Sequence, residues 1–233
     1  MLNYEVPAAL LRPLVPAGTE LDSWKGSTLA SIVGFLFLDT RVLGIALPGY
    51  RDFEEVNLRF YVRRRTEEGQ WRRAVVFVRE LVPRRAIALA ARWFYNEPYT
   101  AVPMRHELQL GDATDGQPRL AAYEWRLAKR WHRLEVTTLG CPELPHPESE
   151  AAFITEHYWG YTAQRDGGSK EYRVEHPPWR VWVTSGARFE CDVKTVYGAG
   201  FAECLGSVPR SAFLAEGSDV TVYGGRRLAL TGS

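Results

Sequence analysis

The segment DFEEVNLRFYVRRR (residues 52–65) decides the fold, because polar and apolar side chains alternate along it. Successive side chains of an extended chain point to opposite faces, so this alternation predicts a long β-strand with one apolar and one polar face. The apolar face is formed by Val56, Leu58, Phe60 and Val62, and the polar face by Glu55, Asn57, Arg59 and Tyr61.

The residues that follow this strand predict a hairpin and then a helix. EEGQ (residues 67–70) is typical of a tight turn, and WRRAVVFVRE (residues 71–80) returns as a second strand. After Pro83 the apolar spacing becomes that of a helix, and proline is well tolerated in a first helical turn. The predicted helix has Ile87, Ala90, Ala91 and Phe94 on one side.

The rest of the chain predicts many short strands and few helices. Strand patterns recur between residues 104 and 183 and again in SDVTVYGGRRL (residues 218–228), whereas residues 192–205 have a helical pattern. The sequence shows no repeat of roughly 20 to 50 residues and no low-complexity linker. We therefore predict a mainly β (α+β) fold, an antiparallel barrel or sandwich, formed by a single domain over residues 1–233.

The composition argues against several classes of partner. The 29 basic and 28 acidic residues leave a formal net charge of +1, whereas nucleic-acid-binding proteins usually have a basic surplus. The apolar segment TLASIVGFLFL (residues 28–38) is too short to span a membrane as a helix. Because the start lacks a signal-peptide pattern and three cysteines are too few for a disulfide framework, we predict a cytoplasmic protein.

The sequence contains no familiar catalytic or cofactor motif. The five histidines form no HExxH motif or closely spaced triad and the cysteines form no CxxC pair, so no metal site is predicted. A GxSxG elbow, a Walker loop and a dinucleotide fingerprint are absent as well, so we predict no cofactor.

Two features could belong to a site, and each also has an ordinary structural explanation. The polar face of residues 55–61 is either the solvent-exposed side of an antiparallel strand or, in a closed barrel, the lining of a cavity for a polar ligand. His176, in HPPW (residues 176–179), is either part of a rigid turn or an acid or base fixed at the mouth of a barrel.

Four segments resemble the DUF2071 family, also called YqjF-like proteins, and occur here in the family's order. They are LVPAGTELDSWKG (residues 14–26), FEEVNLRFYV (53–62), YNEPY (95–99) and EYRVEHPPW (171–179). The family has no established activity, but its members are similar to acetoacetate decarboxylase. This resemblance implies a mainly antiparallel, closed β-barrel or β-cone around a central pocket, with a few flanking helices. Members usually have a short stretch before the counterpart of MLNYEV, which leaves open whether Met1 is the native start.

The resemblance also implies where a site lies. The decarboxylase has an arginine–glutamate pair, then a proline and two lysines, the first of which forms a Schiff base with the β-keto acid. Arg79 and Glu80 resemble the pair, at a shorter spacing, and Arg84 and Arg85 stand in place of the lysines. A Schiff base needs a neutral amine, which arginine cannot provide, so we expect no imine decarboxylation. Glu55 resembles the glutamate that borders the decarboxylase pocket.

Together these residues predict a pocket that binds a small organic acid or polyketide-like metabolite. Its chemistry would be acid/base chemistry without an imine, with cationic side chains holding a carboxylate or enolate. A non-catalytic ligand-binding or sensing protein and a structural barrel are the alternatives, and the sequence leaves enzymatic activity and homo-oligomer formation open. The catalytic candidates are Glu55, Glu80 and His176, and the ligand-binding candidates are Asn57, Arg59, Tyr61, Arg79, Arg84 and Arg85.

Limited proteolysis tests the predicted single domain. Because strands from both ends of the chain are needed to complete the sheet, neither half of the chain is expected to fold alone. Mass spectrometry and circular dichroism of the digest should therefore detect only trimmed chain or small unfolded peptides. A stable, folded fragment of roughly half the chain would contradict the prediction.

Overall fold

The computed structural model describes residues 1–42, 45–46, 52–84, 98–111 and 117–228. The helix predicted from Ile87 to Phe94 and the ligand-binding candidate Arg85 lie outside these residues. Within the described residues extended segments dominate, and each α-helix has six residues or fewer.

The described residues form strands β1 to β17 and helices α1 to α4. In chain order these are β1 (Leu2–Glu5), α1 (Ala8–Leu11), a 3-10 turn (Arg12–Leu14), β2 (Glu20–Leu21), β3 (Leu29–Phe37), β4 (Arg41–Val42), β5 (Ile45–Ala46), β6 (Phe53–Arg65), β7 (Trp71–Val82), β8 (Tyr99–Ala101), β9 (Met104–Gln109), β10 (Arg119–Leu127), β11 (Arg130–Thr138), α2 (Glu150–Thr155), β12 (Trp159–Ala163), β13 (Ser169–Glu175), β14 (Val181–Glu190), α3 (Val193–Tyr197), a 3-10 turn (Ala199–Phe201), α4 (Ala202–Gly206), β15 (Ser211–Ala215), β16 (Thr221–Val222) and β17 (Arg226–Leu228).

One 15-stranded sheet contains all of these strands except β4 and β5, which pair with each other. Hydrogen-bonded neighbours run in the order β16-β13-β12-β7-β6-β3-β1-β15-β14-β11-β10-β9. In addition, β17 pairs with β13, β2 with β6 and β8 with β7. Strands from both ends of the chain therefore contribute to the same sheet.

The predicted mainly β fold with a few helices is confirmed, but the predicted closed barrel is not. Among the described residues no pairing joins β9 to β16, the strands at the two ends of the sheet order. The sheet is also mixed rather than wholly antiparallel, because β8 and β12 run parallel to β7. Parallel neighbours need a long connection, and β7 and β8 are separated in the sequence by residues 83–98. An alternating pattern reveals a strand but neither its direction nor its partner, which is why the sequence did not indicate this.

The hairpin predicted from residues 52–80 is present, with β6 and β7 as its strands. A 2.8 Å backbone hydrogen bond from the N–H of Thr66 to the carbonyl oxygen of Gln70 closes its turn. The register shifts once, between Leu58 and Arg59, which marks a β-bulge.

The apolar face of β6 lies in the main hydrophobic core. Its four side chains have no exposed surface and share one buried cluster with side chains from β10, β11, α3 and α4. Burial of one such side chain contributes on the order of 1.5–3 kcal/mol, so this face anchors the sheet. Other members of the cluster are Ile32, Tyr123, Trp125, Leu134, Val196 and Leu205.

Gly34 in β3 marks a close approach between two parts of the sheet. A Cβ at this position would lie 2.6 Å from Cδ2 of Tyr123 and 3.0 Å from Cδ2 of Leu134.

Gly34→Ala is therefore expected to lower the free energy of unfolding by roughly 1–3 kcal/mol, because overpacking forces the neighbouring side chains to move. Urea denaturation measures this change. The matched control is Gly206→Ala, since a Cβ at Gly206 meets no atom within 4 Å. An equal loss of stability in both variants would argue against the close approach.

Candidate functional site

The polar face of β6 is buried. Glu55, Asn57 and Tyr61 are each 1% exposed, and Arg59 is half-buried. Solvent exposure, the ordinary explanation of the alternating pattern, is therefore wrong for this face. Polar groups buried in this way need partners or a ligand, because an unpaired buried polar atom is costly.

The register of β6, β7 and β8 places a second carboxylate on the same face. Asn57 lies opposite Glu80 of β7, and Glu80 lies opposite Tyr99 of β8. Paired residues of neighbouring strands share a face of the sheet, and Glu80 is also only 1% exposed. We call Glu55, Asn57, Glu80 and Tyr99 the Glu55 cluster.

Two side chains of the cluster donate hydrogen bonds to Glu55. Nδ2 of Asn57 donates to Oε1 at 2.9 Å, and the hydroxyl of Tyr99 donates to Oε2 at 3.1 Å. Burial raises the pKa of Glu55 to about 7, although these hydrogen bonds and the positive charge of Arg59 favour the ionised form. A carboxyl group with this pKa exchanges its proton near neutral pH, so it can act as an acid or as a base.

Arg59 and Tyr61 continue the same face towards α2. Nη2 of Arg59 donates to the carbonyl oxygen of Ile154 at 3.4 Å. The hydroxyl of Tyr61 is hydrogen-bonded to Oγ of Ser31 at 2.6 Å. Arg59 therefore places a positive charge between Glu55 and α2. The Tyr61 hydroxyl is already hydrogen-bonded to another side chain of the protein.

A buried histidine that the sequence did not indicate packs on Tyr61. The ring centroids of His157 and Tyr61 are 4.6 Å apart, and Nε2 of His157 is 3.9 Å from Oδ2 of Asp22. Burial lowers the pKa of His157 to about 4, so the ring is neutral at pH 7. Burial opposes ionisation of Asp22, but the nearby His157 ring and a 2.8 Å hydrogen bond from Nε of Arg73 hold the pKa of this carboxyl below its ordinary value.

Two of the residues missed by sequence reasoning lie within the segments that carry the family resemblance. Tyr99 is the last residue of YNEPY, and Asp22 lies within LVPAGTELDSWKG. Those segments were a usable signal, but nothing in their spacing indicates that either side chain reaches β6 or its neighbours. His157 has no comparable signal, because its burial depends on the packing of α2 against the sheet.

Arg79 is not brought to the Glu55 cluster. It lies opposite Leu58 of β6, on the apolar face, and Nη1 donates to the carbonyl oxygen of Val196 in α3. Because consecutive residues of a strand point to opposite faces, Arg79 and Glu80 cannot act on the same side of β7. The resemblance to an arginine–glutamate pair therefore does not produce a shared pocket for these two side chains.

The other two described candidates also lie apart from the cluster. The His176 ring stacks on the Trp179 ring, with centroids 4.1 Å apart and an angle of 18° between the ring planes. It also packs against the Tyr158 ring, with centroids 4.9 Å apart. Arg84 is exposed and lies two residues after the end of β7. In the described part of the chain, no hydrogen bond, ion pair or ring contact joins either side chain to Glu55.

The described residues contain no group of three or more histidine, cysteine, aspartate or glutamate side chains placed to hold a metal ion. In the same part of the chain, no helix has the length and apolar character required to cross a membrane.

Solved structures with a similar fold cover almost the entire chain. The enduracididine biosynthesis enzyme MppR complexed with pyruvate matches with a TM-score of 0.65 at 14% identity, over 99% of this chain and 88% of that one. Acetoacetate decarboxylase from Legionella pneumophila subsp. pneumophila str. Philadelphia 1 matches with a TM-score of 0.61 at 13% identity, over 98% of this chain and 83% of that one. At these identities the likeness shows the fold alone, which is that of the acetoacetate decarboxylase-like proteins.

Sequence comparison gives the family. The chain is 29% identical to the uncharacterized protein YqjF of Bacillus subtilis (strain 168) over 204 residues, which is 84% of this chain and 76% of that protein. Residues 1–219 match DUF2071, a family described as an uncharacterized conserved protein. The chain therefore belongs to the DUF2071 family.

Proposed function

We propose that the protein binds a small organic acid or polyketide-like metabolite at the Glu55 cluster. The observation that carries the proposal is Glu55 itself, a buried carboxyl group with a pKa of about 7 between an amide and a phenol donor. The fold supports it, since one similar structure is an enzyme complexed with pyruvate and another is an acetoacetate decarboxylase.

Glu55 could serve such a ligand in either protonation state. When protonated it can donate a hydrogen bond to a carboxylate or enolate oxygen, and when ionised it can accept a proton from a carbon next to a carbonyl group. Glu80 supplies a second carboxyl group on the same face, and Arg59 supplies positive charge. Arg84 and Arg85, two and three residues after β7 in the sequence, are proposed to contact the acid group of a ligand that extends beyond the cluster towards that end of β7.

The proposed chemistry does not use an imine. An imine needs a lysine with a depressed pKa, and arginine occupies both positions that resemble the decarboxylase lysines. The four lysines lie elsewhere in the fold: Lys25 and Lys129 in turns, Lys170 in β13 and Lys194 in α3.

The alternative is a binding or sensing protein that uses the same cluster without turnover. The loss of both lysine positions favours this alternative, because it removes the decarboxylase nucleophile while leaving the buried polar face in place. Stoichiometric binding without consumption of the ligand would indicate a sensor, and consumption would indicate an enzyme.

Calorimetry with short 2-oxo and 3-oxo acids, including pyruvate and acetoacetate, tests the proposed function. Because ionised Glu55 repels an organic anion, affinity is expected to fall by about tenfold per pH unit above pH 7. Glu55→Gln should abolish this pH dependence, whereas Glu54→Gln, one residue away on the other face of β6, should retain it. Borohydride treatment should leave the protein mass unchanged. Absence of binding across these acids, an unchanged pH profile in Glu55→Gln or a covalent adduct would contradict the proposal.

Stability measurements test the protonation of Glu55 without a ligand. The folded-state pKa of about 7 lies above the ordinary 4.5, so the folded protein binds this proton more tightly than the unfolded chain. The resulting stabilisation is complete below pH 4.5 and is lost as the pH rises to about 7. Relative to Glu55→Gln, the wild type should therefore lose about 3 kcal/mol of unfolding free energy between pH 4.5 and 7.5.

Urea denaturation of both proteins across this range gives the difference directly. Titrating groups that do not interact with Glu55 change stability equally in wild type and variant, so their effects cancel in the comparison. A difference that stays constant with pH would show that folding does not raise the pKa of Glu55.

A further inference from the structure

A crevice of about 310 Å³ lies between β7 and α3, on the side of β7 that faces away from Glu80. We call it the Arg79 crevice. It is lined by Val78, Arg79, Lys194, Thr195, Val196, Tyr197 and Gly198. The proposed function does not use this crevice, because its lining shares no residue with the Glu55 cluster.

In the described part of the chain, no carboxylate pairs with the charged side chains of the lining. It contains one guanidinium and one ammonium group but no carboxylate. Within the described residues neither Arg79 nor Lys194 forms an ion pair, whereas Arg73 pairs with Asp22 and Arg133 pairs with three glutamates. The nearby Asp192 accepts hydrogen bonds from the backbone N–H and the hydroxyl of Thr195. Two unpaired cations in a concave site favour an anion there.

The hydrogen-bonding capacity of the lining is also incompletely used. Arg79 has five N–H donors, and its recorded hydrogen bond among the described residues is the one to the carbonyl oxygen of Val196. That bond fixes the guanidinium beside α3 and leaves further donors for a ligand. The hydroxyl of Tyr197 is buried and has no hydrogen-bond partner in the described part of the chain. Because this hydroxyl has no accessible surface, the donors that a ligand in the crevice can reach are those of Arg79 and Lys194.

We propose that the Arg79 crevice binds a small molecule carrying a phosphate or carboxylate group, held by Arg79 and Lys194. A guanidinium forms a planar, bidentate pair with either group, and an ammonium adds a charge-assisted hydrogen bond. The volume lies at the lower end of the range for small-molecule pockets, roughly 300–1,000 Å³, so the ligand is of metabolite size.

Titration calorimetry with inorganic phosphate, glycerol 3-phosphate and succinate tests the proposal at low salt. Binding of the two phosphates but not of succinate would identify a phosphate site. Binding of succinate but not of the phosphates would identify a carboxylate site. Lys194→Gln should weaken binding of the preferred probe by at least about fivefold, because it removes one charge-assisted contact. Arg79→Gln should weaken it further. If Arg79→Gln does not fold, the Lys194→Gln measurement alone tests the proposal. Lys194 is exposed, so its replacement leaves the packing intact.

Two controls separate this site from general charge effects and from the Glu55 cluster. Lys129→Gln removes an exposed lysine from a turn outside the crevice and should leave the affinity unchanged. Glu55→Gln should also bind the probe like the wild type, even if the proposed function is wrong. The inference is overturned if no probe binds, if Lys194→Gln binds like the wild type, or if Lys129→Gln weakens binding to the same extent.

Discussion

The pairing of β6 with β7, with both faces of the pair buried, is the constraint on which the rest of the structure depends. One face enters the main hydrophobic core, where Leu58 and Phe60 have no exposed surface. The other face carries Glu55 and Asn57 and is equally inaccessible. Because a strand has only two faces, each polar side chain on this second face must be hydrogen-bonded within the protein, have a shifted pKa or bind a ligand. The site follows from this constraint.

Glu55 shows how burial turns an ordinary side chain into a chemically useful one. Water no longer solvates its charge, and the donors on Asn57 and Tyr99 compensate only in part, so its pKa rises to about 7. His157 shows the same effect with the opposite sign, because burial there removes a positive charge. Arg79 and Glu80 are adjacent in the sequence but lie on opposite faces of β7, so Arg79 contacts α3 while Glu80 lies opposite Asn57.

Arginines stand at the two positions that resemble the decarboxylase lysines, and in the proposed function this limits the chemistry of the site. A guanidinium stays charged in a protein, so it binds anions well and cannot form an imine. In the proposed function, the buried polar face therefore binds its ligand without a lysine nucleophile. This is the physical reason to separate the fold, which the comparisons show, from the reaction, which depends on individual residues.

The sequence by itself determined the strand pattern of β6 and β7, the hairpin between them, the mainly β class and the family, because alternation and local motifs are properties of neighbouring residues. Only the tertiary structure decided that the polar face is buried, that Tyr99 and Glu80 lie beside Glu55, and that Arg79 faces α3. It also decided the parallel neighbours of β7 and the order of the described strands in the sheet. These features depend on which strands pair and what covers them, and such contacts join residues too distant in the chain for any local pattern to record.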